Sequence, residues 1–227
     1  MVRVKVCGIT NVEDAREAVA AGADALGFIF VEDTPRFIEP AAAAAIIAWL
    51  PPFVTPVGVF WDHAPGHVKA VAEQCRLGAL QFHGDEPPEA LADYRLPVIK
   101  TVKLPAASTI EGLTELRTKE GFQVLQYSKV AAAVLLDTAE RWSEGLAREP
   151  IEWRQAAVIA STYRHRPRPR VILSGGLTPE NVARAIAVVK PYAVDVNSGV
   201  EARPGRKDAD KVRRFVAAAR SASREGA

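Results

Sequence analysis

The sequence lacks the features that mark several large classes of protein. Its 227 residues include two cysteines, Cys7 and Cys75, too few for the disulfide framework of a small secreted domain, so we expect a reducing compartment, the cytoplasm. An excess of charge of one sign is also missing, because 29 lysines and arginines offset 27 aspartates and glutamates to leave a net charge of +2. We therefore expect neither nucleic acid nor a membrane surface as a partner.

Three further absences narrow the fold and the function. Four histidines, with no C-x-x-C pair, form no metal-binding constellation in the sequence, so the sequence predicts no metal site. No apolar run approaches the length of a transmembrane helix, and the first residues have the pattern of a strand, so we expect no signal peptide. A G-x-G-x-x-G turn after the first strand is missing too, which disfavours an open dinucleotide-binding sheet.

What the sequence does contain is a repeated alternation of short apolar runs with helical stretches. The predicted strands are residues 2–6, 25–30, 55–60, 79–82, 97–102, 130–136, 171–173 and 193–196. The first predicted helix begins at a cap on Thr10 or Asn11 and ends at Ala21. The other predicted helices cover residues 40–50, 65–75, 87–94, 109–119, 151–161 and 208–223, and the pattern of 122–129 is ambiguous. Strands that are apolar on both faces indicate a parallel sheet covered by helices. Eight such units predict an α/β fold, a single-domain (β/α)8 TIM barrel over residues 1–227, with an open doubly wound sheet as the alternative.

The most informative stretch runs from Arg170 to Val200. Two successive strands end there in small-residue turns, Ser174-Gly175-Gly176 and Asn197-Ser198-Gly199. Thr178 and Pro179 then predict a helix start, as N-cap and first helical residue. Backbone N–H groups at such helix starts suit a phosphate, and the loops after strands seven and eight of a barrel often form a phosphate site. The alternative is that these glycines only make tight turns.

Cys7 and Asp137 each follow a predicted apolar strand. The C-terminal ends of barrel strands carry function in this fold class. Cys7 is either a small buried hydrophobic residue or a nucleophile or general base. Asp137 either caps the following loop or serves as a general acid or base. Strands one and six lie on different sides of the barrel mouth, so we expect these two groups to flank a ligand rather than bond to each other.

Other polar side chains also stand at inward or strand-end positions. Arg36 follows the second strand, where it either binds a carboxylate through its bidentate fork or remains a solvated surface residue. His83 ends the fourth strand, as a ligand-binding or a hydrogen-bonded structural histidine. Lys5 and Asp195 share the inward parity of the first and eighth strands, so we predict a buried ion pair lower in the barrel, unless Lys5 extends to solvent.

Eight short motifs carry a resemblance to a known family. They are K-V-C-G-I-T at 5–10, G-F-I-F at 27–30, P-R-F-I at 35–38, V-G-V-F at 57–60, Q-F-H-G-D-E at 81–86, L-L-D at 135–137, L-S-G-G-L-T-P-E-N-V at 173–182 and V-D-V-N-S-G-V-E at 194–201. Together, and in this order, they resemble phosphoribosylanthranilate isomerase. The resemblance implies a cofactor-independent barrel enzyme of tryptophan biosynthesis. It would convert N-(5-phosphoribosyl)anthranilate to the 1-deoxyribulose 5-phosphate by an Amadori rearrangement.

Carried over position by position, the resemblance implies a role for each candidate residue. Cys7 would be the general base, Asp137 the general acid, and Arg36 the residue that holds the anthranilate carboxylate. The other implied substrate-binding residues are His83, Gly175, Gly176, Asn197, Ser198 and Gly199. The chemistry asks the acid to stay protonated near neutral pH while the thiol gives up its proton, so opposite pKa shifts are expected. The implied partner is a small phosphorylated molecule, bound by a monomer or a homodimer.

Two departures from the family pattern leave alternatives open. The stretch 138–152 lacks the family's glycine-rich turn, with Trp153 the firm match after it, and we expect the loop 138–150 to close over the substrate all the same. Asn197 stands where serine is usual, a mild change because asparagine tolerates the left-handed conformation and can still hydrogen-bond. The alternatives are a related sugar-phosphate isomerase, such as that of histidine biosynthesis, which carries aspartate at the Cys7 position, and a barrel that binds a phosphorylated ligand without turnover.

Overall fold

The computed structural model describes residues 1–104, 124–138, 150–164 and 169–225, in which eight parallel strands close into a barrel. The barrel strands are β1 (Arg3–Val6), β2 (Ala25–Ile29), β3 (Thr55–Phe60), β4 (Ala79–Phe82), β5 (Val98–Leu104), β6 (Ala133–Thr138), β7 (Arg170–Leu173) and β8 (Ala193–Val196). Each strand pairs with the next, and β1 closes the barrel by pairing with β8 in the register Lys5 to Asp195. The predicted (β/α)8 barrel is confirmed, and the open sheet is wrong.

Helices cover the outside of the barrel. They are α1 (Val12–Ala21), α2 (Pro40–Ile47), α3 (Pro65–Gln74), α4 (Pro88–Leu91), α5 (Trp153–Tyr163), α6 (Val182–Val189) and α7 (Ala209–Glu225). Residues 124–127, in the ambiguous stretch, are helical, and the helix predicted at 109–119 lies outside the described residues. Asn11 caps α1 by accepting from the backbone N–H of Asp14, and Gly22 ends that helix in the left-handed conformation. Across the described ranges, every helix is too short or too polar to span a bilayer.

The start of α6 differs from the prediction. The sequence predicts Thr178 as N-cap and Pro179 as first helical residue, whereas α6 begins at Val182 and Asn181 occupies the cap position. The cause is the Asn181 side chain, whose Oδ1 accepts from the Thr178 N–H at 2.8 Å while Nδ2 donates to the Gly176 carbonyl at 2.8 Å. These bonds stabilise a turn between β7 and α6 and fix the backbone of the glycine pair.

A short hairpin follows β8 that the sequence analysis did not predict. After the 3-10 helix Ser198–Val200, strands β9 (Glu201–Arg203) and β10 (Arg206–Lys207) pair antiparallel. The Pro204-Gly205 dipeptide between them is a recognised turn signal that could have indicated the hairpin. The hairpin packs on the start of α1, since the Thr10 hydroxyl donates to the Gly205 carbonyl at 2.6 Å.

The interior of the barrel changes from apolar to polar along its axis. Its lower part is filled by Val57, Ala79, Ile99, Ala133, Leu135, Ile172 and Ala193. Because side chains alternate along a strand, further inward positions recur two residues apart. Nearer the C-terminal ends of the strands these buried positions are polar: Lys5, Gln81, Thr101 and Asp195. The barrel interior thus consists of a packed apolar layer below and a buried polar layer at the C-terminal ends of the strands.

Candidate active site

A cleft of about 620 Å³, with open solvent at its mouth included, lies at the C-terminal end of the barrel. Every residue that the sequence analysis proposed for the site lines it: Cys7, Arg36, His83, Asp137, Gly175, Gly176, Asn197, Ser198 and Gly199. These residues follow or end six different strands, so barrel closure is what brings them together. The fold therefore gathers the proposed acid, base and anion-binding groups around one space.

Cys7 follows β1 and is buried, with 4% of its surface exposed. Its backbone N–H donates to the Val196 carbonyl at 2.8 Å, which extends the pairing of β1 with β8 by one residue. Burial raises the pKa of the Cys7 thiol, and the nearby charge of Lys5 opposes that rise without cancelling it. This direction is opposite to the one that the sequence argument expected for a thiol that acts as a base.

The predicted ion pair between Lys5 and Asp195 is present beneath Cys7. Lys5 Nζ donates to Asp195 Oδ1 at 2.8 Å, and 5% of each side chain is exposed. Ser174 Oγ donates to Asp195 Oδ2 at 3.4 Å. Burial disfavours the charge on Lys5, but Asp195 and Cys7 together outweigh burial and raise the pKa of Lys5 above its ordinary value. Lys5 is therefore a permanent cation close to the Cys7 thiol.

Asp137 lies inside β6, one residue before its end, and is buried. Its Oδ1 accepts from the Thr138 N–H at 2.8 Å, and its Oδ2 lies 3.8 Å from His83 Nε2. That separation is too long for a hydrogen bond but short enough for electrostatic contact. His83 Nδ1 is 3.2 Å from Thr101 Oγ1, and its ring lies 5.1 Å from the Trp61 ring. The histidine ring is thus held in place beside the carboxyl group.

Arg36 is buried, which excludes the alternative of a solvated surface arginine. Its Nε and Nη2 donate to Oε1 and Oε2 of Glu201 at 2.9 and 2.7 Å. One bidentate edge of the guanidinium is therefore occupied by a carboxylate of the protein itself. Arg36 also lines the cleft, so its guanidinium lies within reach of a ligand there. The sequence contained no signal for Glu201 beyond its place at the end of a motif.

The two glycine-containing turns pack against each other. Gly175 and Gly176 have φ angles of +77° and +66°, a left-handed conformation that side chains disfavour. Gly199, in the second turn, approaches the first so closely that a Cβ atom there would overlap the Leu177 carbonyl oxygen. The sequence predicts one phosphate site formed by both turns, and in the structure the turns adjoin as one contiguous surface.

Asn197 does not use the left-handed conformation that asparagine tolerates. Its φ is −126°, outside that region. The expected hydrogen bonding is present, because Asn197 Oδ1 accepts from Lys207 Nζ at 2.9 Å. Lys207 belongs to the unpredicted hairpin, which explains why the sequence did not indicate this contact.

Gln81 lines the cleft as well, and the sequence analysis missed it. It lies two residues before His83 on β4, so it shares the inward parity of that histidine, and this was a usable signal. Its side chain is buried, and within the described part of the chain its Oε1 has no hydrogen-bond partner. Gln81 is thus a buried acceptor at the floor of the cleft.

The cleft combines anion-binding groups with groups that transfer protons. Arg36 and the paired turns can hold two anionic ends of one ligand, while Cys7 and Asp137 can move protons between them. In the ranges that the structure describes, no three His, Cys, Asp or Glu side chains are arranged to hold a metal ion. The arrangement suits acid–base chemistry on a small molecule with two negative charges.

The profile of the family N-(5'phosphoribosyl)anthranilate (PRA) isomerase matches residues 4–218. The chain belongs to this family. The isomerase of Trichlorobacter lovleyi is 45% identical over 98% of this chain and 100% of its own length. That of Acidithiobacillus ferrooxidans is 44% identical over 97% and 98%. The resemblance drawn from the motifs is therefore confirmed, and the chain is an isomerase enzyme.

Solved structures of phosphoribosylanthranilate isomerases have the same fold. The Thermotoga maritima enzyme is 40% identical with a TM-score of 0.83, covering 97% of this chain and all of its own. A phosphoribosylanthranilate isomerase in complex with reduced 1-(o-carboxyphenylamino)-1-deoxyribulose 5-phosphate is 40% identical with a TM-score of 0.80 and the same coverage. Another structure is of monomers generated from the dimeric Thermotoga maritima enzyme, 38% identical with a TM-score of 0.79 over 97% of this chain and all of its own.

We predict that removal of the Lys5 charge slows alkylation of Cys7 in this phosphoribosylanthranilate isomerase. Lys5→Met takes away the cation that opposes the rise of the thiol pKa and leaves Asp195 negative, so the pKa rises further and less thiolate is present at a given pH. Because the thiolate is the reactive form, the iodoacetamide rate near about pH 8 should fall about tenfold. The measurement is a rate profile by mass spectrometry in a Cys75→Ser background.

The matched control is Lys5→Met/Asp195→Asn in the same background. Asp195 raises the pKa of the Cys7 thiol, so removing both charges should return part of the lost rate. Rate profiles that coincide for the parent and Lys5→Met would show that Lys5 has no influence on the thiol.

We predict that Gly199→Ala weakens phosphate binding, because the new methyl group forces the two turns apart. Losing one hydrogen bond to a charged group costs about 1.5–3 kcal/mol, which is about a tenfold or greater loss of affinity. The measurement is the inhibition constant of inorganic phosphate. Gly66→Ala is the control, since a Cβ there has open space around it. An unchanged inhibition constant for Gly199→Ala would place the phosphate elsewhere.

Proposed function

We propose that the protein converts N-(5-phosphoribosyl)anthranilate to 1-(2-carboxyphenylamino)-1-deoxyribulose 5-phosphate, a step of tryptophan biosynthesis. The observation that carries this proposal is one cleft lined by a thiol, a carboxyl group, an arginine and two adjoining glycine turns. The substrate has a phosphate and a carboxylate at its two ends, which match the turns and Arg36. Its ribose then lies between them, where Cys7 and Asp137 are available.

Asp137 begins the reaction as the general acid. Its carboxyl group donates a proton to the ribose ring oxygen, and the bond from that oxygen to C1 breaks. The lone pair on the anthranilate nitrogen forms the C1–N double bond, so the ring opens to a protonated Schiff base. The Thr138 N–H donates to Asp137 Oδ1 at 2.8 Å and Oδ2 lies 3.8 Å from His83 Nε2, so we assign the transferred proton to Oδ2.

Cys7 completes the reaction as the general base. Its thiolate takes the proton from C2, the electrons of that C–H bond form a C1–C2 double bond, and the π electrons of the C1–N bond return to nitrogen to give an enolamine. The enolamine tautomerises to the ketone. Since burial raises the pKa of the thiol, the thiolate needs a counter-charge, and Lys5 provides one that Asp195 keeps protonated.

A fluorescence assay tests the function directly. Adding protein to N-(5-phosphoribosyl)anthranilate should remove its fluorescence at a rate proportional to protein concentration, with 1-(2-carboxyphenylamino)-1-deoxyribulose 5-phosphate as the product by mass spectrometry. The protein should be produced in a host that lacks its own isomerase, and an Asp137→Asn preparation should run beside it. Binding of the substrate without any loss of fluorescence would identify a non-catalytic barrel instead.

We further propose that the enzyme works in the cytoplasm. Cys7 and Cys75 are both free thiols, as expected for a reducing compartment. The partner that the site requires is the small phosphorylated substrate.

A further inference from the structure

Arg36 is held in place by a cluster of buried charges on the hairpin after β8. Glu201 Oε1 accepts from Arg36 Nε at 2.9 Å, from Lys207 Nζ at 3.2 Å and from the Gly205 N–H at 3.3 Å. Its Oε2 accepts from Arg36 Nη2 at 2.7 Å. At most 5% of any of the three charged side chains is exposed. Both oxygens of Glu201 are therefore committed to protein donors.

Lys207 connects this cluster to the turn that follows β8. Its Nζ also donates to Asn197 O at 3.2 Å and to Asn197 Oδ1 at 2.9 Å. These two oxygens and Glu201 Oε1 make three acceptors, which match the three N–H donors of an ammonium group. The Lys207 backbone N–H donates to Asp14 Oδ2 at 2.8 Å, which anchors the hairpin to α1. Asn197 directly precedes Ser198, so the cluster is continuous with the proposed phosphate turn.

Burial and neighbouring charges shift the pKa values of Glu201 and Lys207. Burial favours the neutral form of Glu201, but hydrogen bonds from Arg36 and the charge of Lys207 lower the pKa of its carboxyl group below the ordinary value. Burial lowers the pKa of Lys207, and the charge of Glu201 opposes that fall. The Glu201 carboxylate therefore lies, ionised, between Arg36 and Lys207 at the edge of the cleft.

We infer that Glu201 is the positioning residue of the carboxylate subsite. It fixes the Nε–Nη2 edge of Arg36, so that the Nη1 edge faces the substrate carboxylate, and Lys207 fixes Glu201 relative to the phosphate turn. The cluster thereby sets the separation and direction of the two anion-binding subsites. This inference rests on the proposed function, in which Arg36 binds the anthranilate carboxylate.

Two ligands that differ only in the carboxyl group test this role. They are the reduced product analogue and its counterpart with an unsubstituted phenyl ring. In Glu201→Gln the amide has one acceptor oxygen and a nitrogen that itself donates, so it cannot accept from both Arg36 nitrogens. Affinity for the carboxylated ligand should fall at least about tenfold, while that for the counterpart should change less than about twofold. KM should rise by the same factor with kcat nearly constant.

The control for loss of a glutamate charge is Glu17→Gln. Glu17 pairs with Arg213 on the surface at 2.8 Å, so this variant breaks an exposed ion pair and should leave both affinities unchanged. If Glu201→Gln fails to fold, Glu201→Gln/Lys207→Met keeps Arg36 as the only charge of the three and should show the same carboxylate-specific loss. Thermal melts of each variant establish that folded protein is compared.

The Arg36→Met background separates this inference from the proposed function. Arg36→Met alone should weaken the carboxylated ligand, and adding Glu201→Gln should weaken it no further. If Arg36→Met binds the carboxylated ligand with normal affinity, Arg36 does not form a carboxylate subsite and this inference is wrong as well. A loss in Arg36→Met with normal affinity in Glu201→Gln would overturn the inference and leave the function standing. Equal weakening of both ligands by Glu201→Gln would also overturn it, by making Glu201 a purely structural residue.

Discussion

Replacing Cys7 by alanine should reduce turnover by about 10²–10⁴-fold, the usual contribution of a general base. Alanine cannot take the proton from C2, so the reaction should stop at the Schiff base. Phosphate and carboxylate are held by other residues, so the affinity for the reduced product analogue should change less than about threefold. Steady-state kinetics and isothermal titration of the same preparation measure the two quantities.

The matched control for Cys7→Ala is Cys75→Ala. Cys75 is equally buried, but it lies at the end of α3, where its thiol donates to the Pro40 carbonyl at 3.3 Å. That variant should keep normal turnover. Alkylation of Cys7 should inactivate the enzyme, and the product analogue should protect against it. Near-normal turnover in Cys7→Ala would defeat the mechanism and make Cys7 part of the core only.

The second large effect should come from Asp137→Asn, again about 10²–10⁴-fold in kcat. Asparagine keeps the shape of the side chain and the oxygen that accepts from the Thr138 N–H, but it has no acid proton for the ring oxygen. Ring opening should therefore become limiting. Affinity for the product analogue, whose ribose is already open, should change less than about threefold.

Asp85→Asn is the control for that variant. Asp85 lies exposed in the loop after β4, so its replacement removes a carboxylate near the mouth without touching the cleft. It should leave kcat within about twofold, as surface substitutions usually do. A single-turnover experiment in which Asp137→Asn opens the ring at the parental rate would assign the proton to another group.

The barrel could be predicted because its strands are short, apolar and sharply ended. The predicted bounds of β3, β4 and β8 coincide with those of the structure. The candidate site followed from the same pattern, since polar or small residues directly after such strands must gather at one end of a parallel barrel. Even the pairing of Lys5 with Asp195 could be predicted, because it needs only strand parity and the knowledge that β1 and β8 are neighbours.

The contacts that orient Arg36 could not be predicted. Arg36 and Glu201 are 165 positions apart and belong to a loop and a hairpin, where neither strand parity nor helical period relates one side chain to another. The direction of the pKa shift of Cys7 could not be predicted from the sequence either, because it depends on how completely the neighbouring strands cover the thiol. Helix α6 starts later than predicted because the Asn181 side chain makes two hydrogen bonds. Helix propensity alone does not show that these bonds would prevail over a cap at Thr178.

The pairing of β1 with β8 has a consequence for synthesis. The ribosome makes Cys7 long before the partner strand of β1, which begins at Ala193. Helix α7 then ties down the start of β1 when Arg220 donates to the Val2 carbonyl at 2.9 Å. A nascent chain that stops before β8 has two open strand edges and half of a catalytic cleft. Such long-range pairing slows folding. A nascent chain that lacks β8 is therefore inert as a catalyst and exposed to aggregation through those edges until that strand emerges.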